Sequence, residues 1–201
     1  MTPSTHGRPS DPHLPGDGTG GPAFPDPERD RAQDPEPDPE SVARKILLDQ
    51  LTGQARSRAE LETRLARKGV PDEVAHRLLD RFEEVGLVDD EAFARAWVQS
   101  RQSGKGLARR ALAQELRRKG VDDDTARVAL DEVDPDDEVE AARTLVRRKL
   151  RSVQRHGRDA AARRLTGMLA RKGYPAGLCY RVVREELEAA GFDGFDEPAS
   201  R

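Results

Sequence analysis

Three near-copies of one six-residue string constrain this chain more than any other feature: LARKGV at 65–70, LRRKGV at 116–121 and LARKGY at 169–174. Their glycines, Gly69, Gly120 and Gly173, stand 51 and 53 residues apart. Lysine returns in each copy, as Lys68, Lys119 and Lys172, although the chain has six lysines against 29 arginines. The lysine therefore follows position and not composition. A sustained period near 50 residues points to a tandem array in which each unit packs mainly on its neighbours.

Each copy closes a helix. In SRAELETRLARKG, Ser57 and Glu60 have the spacing of a capping box, and Leu61 and Leu65 share a face. Arg67 and Lys68 complement the negative end of the helix dipole, and Gly69 supplies the left-handed residue that ends the helix. Leu65 and Val70 then make the apolar contact of a Schellman motif, as do Leu116 with Val121 and Leu169 with Tyr174. A second helix follows at once, with Pro71, Asp72 and Glu73 in its first turn. Its apolar residues are Val74, Leu78, Leu79 and Phe82 in the first copy. They are Val128, Ala129, Leu130 and Val133 in the second, and Leu178, Val182, Val183 and Leu187 in the third.

A further helix precedes each pair. The first is SVARKILLDQL, with Leu47, Leu48 and Leu51; the second is DDEAFARAWVQSR, with Phe93 and Trp97 four apart. The third is longer, Asp136 to Arg155, and Val139, Ala142, Val146, Leu150 and Val153 form a regular amphipathic stripe along it. No stretch alternates as a strand would. The expected fold is all-α: nine helices in three tandem three-helix, helix-turn-helix-like repeats, forming an elongated, curved array behind a disordered N-terminal tail. The expected divisions are a tail at 1–40, repeats at 41–88, 89–134 and 135–195, and a C-terminal tail at 196–201.

The tail reading rests on composition. Residues 1–40 hold 10 of the 14 prolines, five glycines, and nine acidic against three basic residues. Such a segment has too little apolar surface to offset its ordering entropy. It has no apolar h-region of a secretory signal, and no apolar run in the chain approaches the ~20 residues of a membrane span. The single cysteine, Cys179, excludes an internal disulfide and a cysteine-rich metal site, and fits a reducing cytoplasm. Placed among Leu178, Val182 and Val183, it reads as a small buried hydrophobe, with a reactive thiol as the alternative.

The formal net charge of −3 conceals blocks of opposite sign. The middle helices carry +2 over 57–68, +4 over 107–119 and +4 over 158–172; the third helices carry −3, −5 and −1. In a helix-turn-helix reader the second helix of the pair enters the major groove. Here it would bring Asp122, Asp123 and Asp124 to the phosphates, which argues against a simple triple DNA reader. Residues 140–184 carry a local +11. Within them Arg143, Arg147, Arg151 and Arg155 recur every four residues along one edge, flanked by Arg148 and Lys149. That row is either a solvated face or a docking surface for an anionic partner. The candidate contact residues are this row with its flanks, Arg109, Arg110, Arg117, Arg118 and Lys119 in the second repeat, and Arg163, Arg164, Arg171 and Lys172 in the third.

No catalytic constellation emerges. His6 and His13 fall in the tail, and His76 and His156 stand alone, without metal-ligand spacing. GKG at 104–106 lacks the earlier glycine and the Ser/Thr of a phosphate loop and reads as a helix breaker. No enzyme activity, metal or cofactor is expected.

The ordered series SRAELETRLARKGV, GLVDDEAFARAWVQSR, ALAQELRRKGV and LTGMLARKGYPAGLCYRVV resembles the RecX family, bacterial regulators of the RecA recombinase, over about 43–193. Asp89, Asp90, Phe93, Ala94 and Trp97 carry the match at the junction into the second repeat. The resemblance implies a cytoplasmic, non-enzymatic protein, and the free chain is expected to be monomeric. It would bind RecA and its filament on single-stranded DNA, lying in the filament groove, with weak direct DNA contact at most. Such a protein typically lowers ATP hydrolysis, strand exchange and co-protease activity. A direct DNA-binding helical-repeat protein is the competing reading, and a plain helical adaptor the third. The acidic, proline-rich tail is not part of the family pattern.

Overall fold

The computed structural model describes residues 38–153, 155 and 157–192. Most of the expected tail at 1–40 and all of that at 196–201 lie outside them. Asp38 to Glu40, expected in the tail, instead start the first helix: the Asp38 carboxylate accepts from the backbone N–H groups of Glu40 and Ser41, and Pro39 opens the first turn.

Nine helices make up the described residues: α1 (Pro39–Gly53), α2 (Arg58–Arg67), α3 (Asp72–Glu84), α4 (Asp90–Lys105), α5 (Arg109–Arg118), α6 (Asp123–Asp131), α7 (Pro135–Val153), α8 (Arg158–Arg171) and α9 (Ala176–Ala189). Among them none is long and apolar enough to cross a membrane. In each repeat the first, middle and third helices pack on one another. Each repeat closes its own core. Leu47, Leu61, Leu65 and Leu79 fill the first; Phe93, Leu112, Leu116 and Leu130 the second; Val146, Leu165, Leu169 and Val182 the third. Cys179 is fully buried in the third core, where burial pushes its thiol up; this is the hydrophobe of the first reading and not the reactive thiol.

The three RKG turns are Schellman motifs. The N–H groups of Val70, Val121 and Tyr174 donate to the carbonyls of Leu65, Leu116 and Leu169, and the glycines stand at φ +74°, +75° and +90°. The GKG string does end α4 as expected, at its second glycine: the helix runs to Lys105 and stops at Gly106 with φ +59°. Other expectations fail locally. Leu48 and Val128 are close to half exposed, because each lies one residue, or about 100° of helix, off its apolar stripe. His76 is not alone: its Nδ1 is 3.0 Å from Glu62. The capping box is half formed. Ser57 Oγ accepts from the Glu60 N–H, but the Glu60 carboxylate turns away to Lys119.

The repeats join through helix ends. At the first junction Ser57 Oγ, at the start of α2, donates to the Lys119 carbonyl at the end of α5 (2.6 Å). Asp90, from the next repeat, accepts from the Arg58 N–H (2.9 Å). At the second junction the Ala108 N–H, at the start of α5, donates to the Lys172 carbonyl at the end of α8 (2.9 Å), and Glu138 accepts from the Arg109 N–H (2.9 Å). The middle helices α8, α5 and α2 therefore meet C-terminus to N-terminus, with dipoles aligned head to tail.

Tyr174 seals the second junction, its hydroxyl donating to the Gly106 carbonyl at 3.2 Å within the core. Tyr174→Phe is expected to lower stability by about 1 kcal/mol, the net value of one hydrogen bond. Burial, then Glu138 and Cys179, push this phenol up to about 12. The folded state thus holds the proton more tightly than the unfolded one, whose phenol titrates near ~10. The contribution is intact below that pH and is lost as pH rises toward the folded value. Urea midpoints at pH 9 and 11 should fall further for the wild-type chain than for Tyr174→Phe; parallel falls would refute the assignment.

Candidate functional site

The junctions place cations where the one-dimensional pattern does not. Beside the α2–α5 contact lies an open cleft of about 480 Å³, lined by Arg56, Arg64, Arg67, Arg117, Arg118 and Lys119, with Glu60 as its one carboxylate. Arg64 and Arg67 have no ion-pair partner among the described residues and face the cleft from the last turn of α2. Arg117 meets Asp123 at 3.0 Å, and Arg118 donates through Nε to the Gln114 carbonyl at 3.2 Å, so each keeps guanidinium donors for solvent. Lys119 is held at 2.6 Å from Glu60 and 4.6 Å from the centre of the Trp97 ring. Trp97 is also stacked on Phe93, donates to Glu115 at 3.0 Å and carries Arg101 4.1 Å over its face.

A second cleft, of about 570 Å³, opens between α7 and α8 and brings Lys149, Arg163, Arg164 and Arg171 together beside Ser152 and Met168. Both clefts concentrate positive charge on middle helices, where fixed guanidinium groups suit an extended anion.

The expected arginine row does not form one free edge. Arg143 pairs with Glu185 at 2.7 Å and with Glu186 at 3.6 Å; Arg147 pairs with Glu186 at 2.9 Å and with Glu140 at 3.4 Å. Glu186 is 5% exposed, so these two arginines neutralise a buried carboxylate of α9. Arg151 and Arg155 remain exposed. Arg109 is half-buried and reaches Asp131, as Arg58 reaches Asp80 and Glu83 in the first repeat. Part of the contrast between basic middle and acidic third helices is thus satisfied inside each repeat. Arg110 is exposed near the start of α5, and Arg148 and Lys172 lie at the second junction. Sequence reasoning missed Arg64 and Arg67 because they belong to the least basic of the middle-helix segments, and Arg56 because it stands just before that segment; only the docking of α5 on α2 brings them beside Arg117 and Arg118.

Models of the first, second and third three-helix domains of RecX match residues 43–82, 89–130 and 136–183. The chain is 56% identical over 151 residues to the regulatory protein RecX of Thermobifida fusca, covering 75% of this chain and 82% of that one. It is 53% identical over 165 residues to the regulatory protein RecX of Streptomyces coelicolor, covering 81% and 88%. The crystal structure of RecX from Lactobacillus salivarius superposes with a TM-score of 0.68 at 20% identity, over 74% of this chain and 97% of that one, a likeness of fold.

Proposed function

Because the chain belongs to the RecX family of regulatory proteins, we propose that it acts on a RecA recombinase by lying along the filament that RecA forms on single-stranded DNA, lowering ATP hydrolysis, strand exchange and co-protease activity. The family is regulatory and not enzymatic. The observation that carries the reading is the pair of cation-rich clefts on middle helices that the junctions set end to end. A repeated, linear array of positive sites suits a partner whose negative charge is itself repeated along a line. The chain acts as a monomer, and its own contact with DNA is weak. The acidic third helices support the filament over a direct major-groove reader, since α3 and α6 would carry net negative charge toward phosphates.

Titrating the purified chain into a RecA ATPase assay on single-stranded DNA tests the reading. Hydrolysis should fall with added protein, and a flat response would count against it. Binding to preformed filaments should exceed binding to either RecA or single-stranded DNA alone. The triple variant Arg64→Glu, Arg67→Glu, Arg118→Glu should bind filaments at least ~10-fold more weakly, since each lost phosphate contact also removes about 0.7 from the salt slope. Its circular dichroism should be unchanged, because none of the three holds an ion pair within the described fold. Wild-type filament affinity in that variant would remove the first cleft from the interface.

A further inference from the structure

The two inter-repeat junctions share one plan but are not balanced alike. At the first, the Lys119 ammonium reaches the Glu60 carboxylate. Leu61 and Leu112 are matched core leucines, four residues before Leu65 and Leu116, so the position of Glu60 is taken one repeat later by Ala111. Lys172, the counterpart of Lys119, therefore has no carboxylate to reach. Its ammonium donates instead to the Lys105 carbonyl at the end of α4. Burial, then the charges of Arg148 and Lys105, push Lys172 down from its ordinary value. Among the described residues none of these three side chains holds an ion pair. Three cations thus converge on one junction without the counter-charge that the sister junction has.

Beside them, the end of α4 and the face of α7 enclose an open cleft of about 380 Å³. Gln99, Gln102, Ser103, Thr144, Lys105 and Arg148 line it, with Asp137 as the one carboxylate. Amide, hydroxyl and cationic donors in such a mixture are the groups that contact phosphate oxygens along a strand. We propose that the junction between the second and third repeats is a phosphate site, which takes a phosphodiester of single-stranded nucleic acid between Lys105, Arg148 and Lys172. The bound group supplies there the negative charge that Glu60 supplies at the first junction. The open cleft lets the strand pass on either side of the bound phosphate. The site goes beyond the filament reading, since it requires no RecA.

The test is fluorescence anisotropy of a labelled oligo(dT) against the full chain. Three proteins are compared: wild type, Lys105→Ala/Arg148→Ala, and a charge-matched control, Lys45→Ala/Arg181→Ala, made of exposed cations on α1 and α9. The junction variant should bind at least ~10-fold more weakly at low salt, and its salt slope should fall by about 1.4, two contacts at ~0.7 each on a single strand. The control should lose less than about threefold, as expected for non-specific charge alone. Equal losses in the two variants would overturn the site. Two further arms separate the sources of the anion. Inorganic phosphate at matched ionic strength should displace the oligonucleotide only at concentrations far above that of the oligonucleotide; displacement at equal concentrations would assign the site to free phosphate and overturn the strand. Loss of poly-glutamate binding in the junction variant, with oligo(dT) binding intact, would assign the site to an acidic protein and also overturn it. None of these outcomes involves the RecA ATPase assay, so the site and the filament reading fail separately.

Discussion

Gly173→Ala is expected to lower stability by about 2–5 kcal/mol, and Gly69→Ala by only about 1–2 kcal/mol, although both glycines hold the same left-handed conformation at the end of equivalent helices. The strain of a β-carbon at positive φ is common to Gly69, Gly120 and Gly173. The surroundings differ. A β-carbon on Gly173 would stand 2.7 Å from the Ala111 backbone nitrogen and 2.8 Å from the Ala111 Cβ, and one on Gly120 would collide with the Ala59 Cβ. A β-carbon on Gly69 would meet nothing within 4 Å. Among the described residues nothing packs on the turn of the first repeat, whereas the other two press their glycines against the middle helix before them. Gly120→Ala should cost about as much as Gly173→Ala, because the Ala59 Cβ has no rotamer by which to yield and can move only with its backbone. Denaturant midpoints for the three single variants decide the matter. Equal losses at all three positions would mean that the glycines serve only as helix stops and that close packing at the junctions contributes nothing.

The same comparison explains the recurring lysine, and it marks what a linear reading can reach. The Schellman turns were legible because every requirement is local: an apolar residue four before the glycine, another directly after it, and a glycine that alone takes positive φ without cost. Helix count and middle-helix boundaries follow from the same short-range signals. The second role of Lys119 and Lys172, as ties to the preceding repeat, was not legible, because its partners lie about a full repeat away, at Glu60 and at the Lys105 carbonyl. Lys68 has the same sequence context and remains exposed. The outward turn of Leu48 and Val128 was missed for a smaller reason. Adjacent apolar residues on a helix point about 100° apart, and which one faces inward is settled by the packing partner. Among the candidate contact residues, the basic character of the middle helices was legible, but their gathering into clefts required the junction geometry that sets Arg64 and Arg67 beside Arg117 and Arg118.

Arg143→Leu/Arg147→Leu should destabilise the third repeat strongly, which neither a solvated face nor a docking surface alone would do. Both guanidinium groups converge on Glu186, whose Oε2 accepts from Arg147 Nε at 2.9 Å and whose Oε1 lies 3.6 Å from Arg143. Glu186 stands on α9 among Cys179, Val182, Val183 and Leu187, and it is the buried charge of that helix. Removing its partners leaves a carboxylate out of water with no compensating charge, a change that costs on the order of 3 kcal/mol. The leucines recover part of this through apolar contact, so the loss should lie at or below that figure. Adding Glu186→Leu to the double variant should restore most of the stability, because a buried ion cluster replaced whole by apolar side chains is close to neutral. Urea unfolding of the double and triple variants at pH 7 tests the argument. A double variant as stable as wild type at pH 7 would show that Glu186 finds water without its arginines. The rescued triple variant then asks what remains of docking on this face: Arg151 and Arg155, exposed and without an ion pair among the described residues, are left to carry it, and Arg151→Glu in that background should weaken filament binding while leaving the urea midpoint in place.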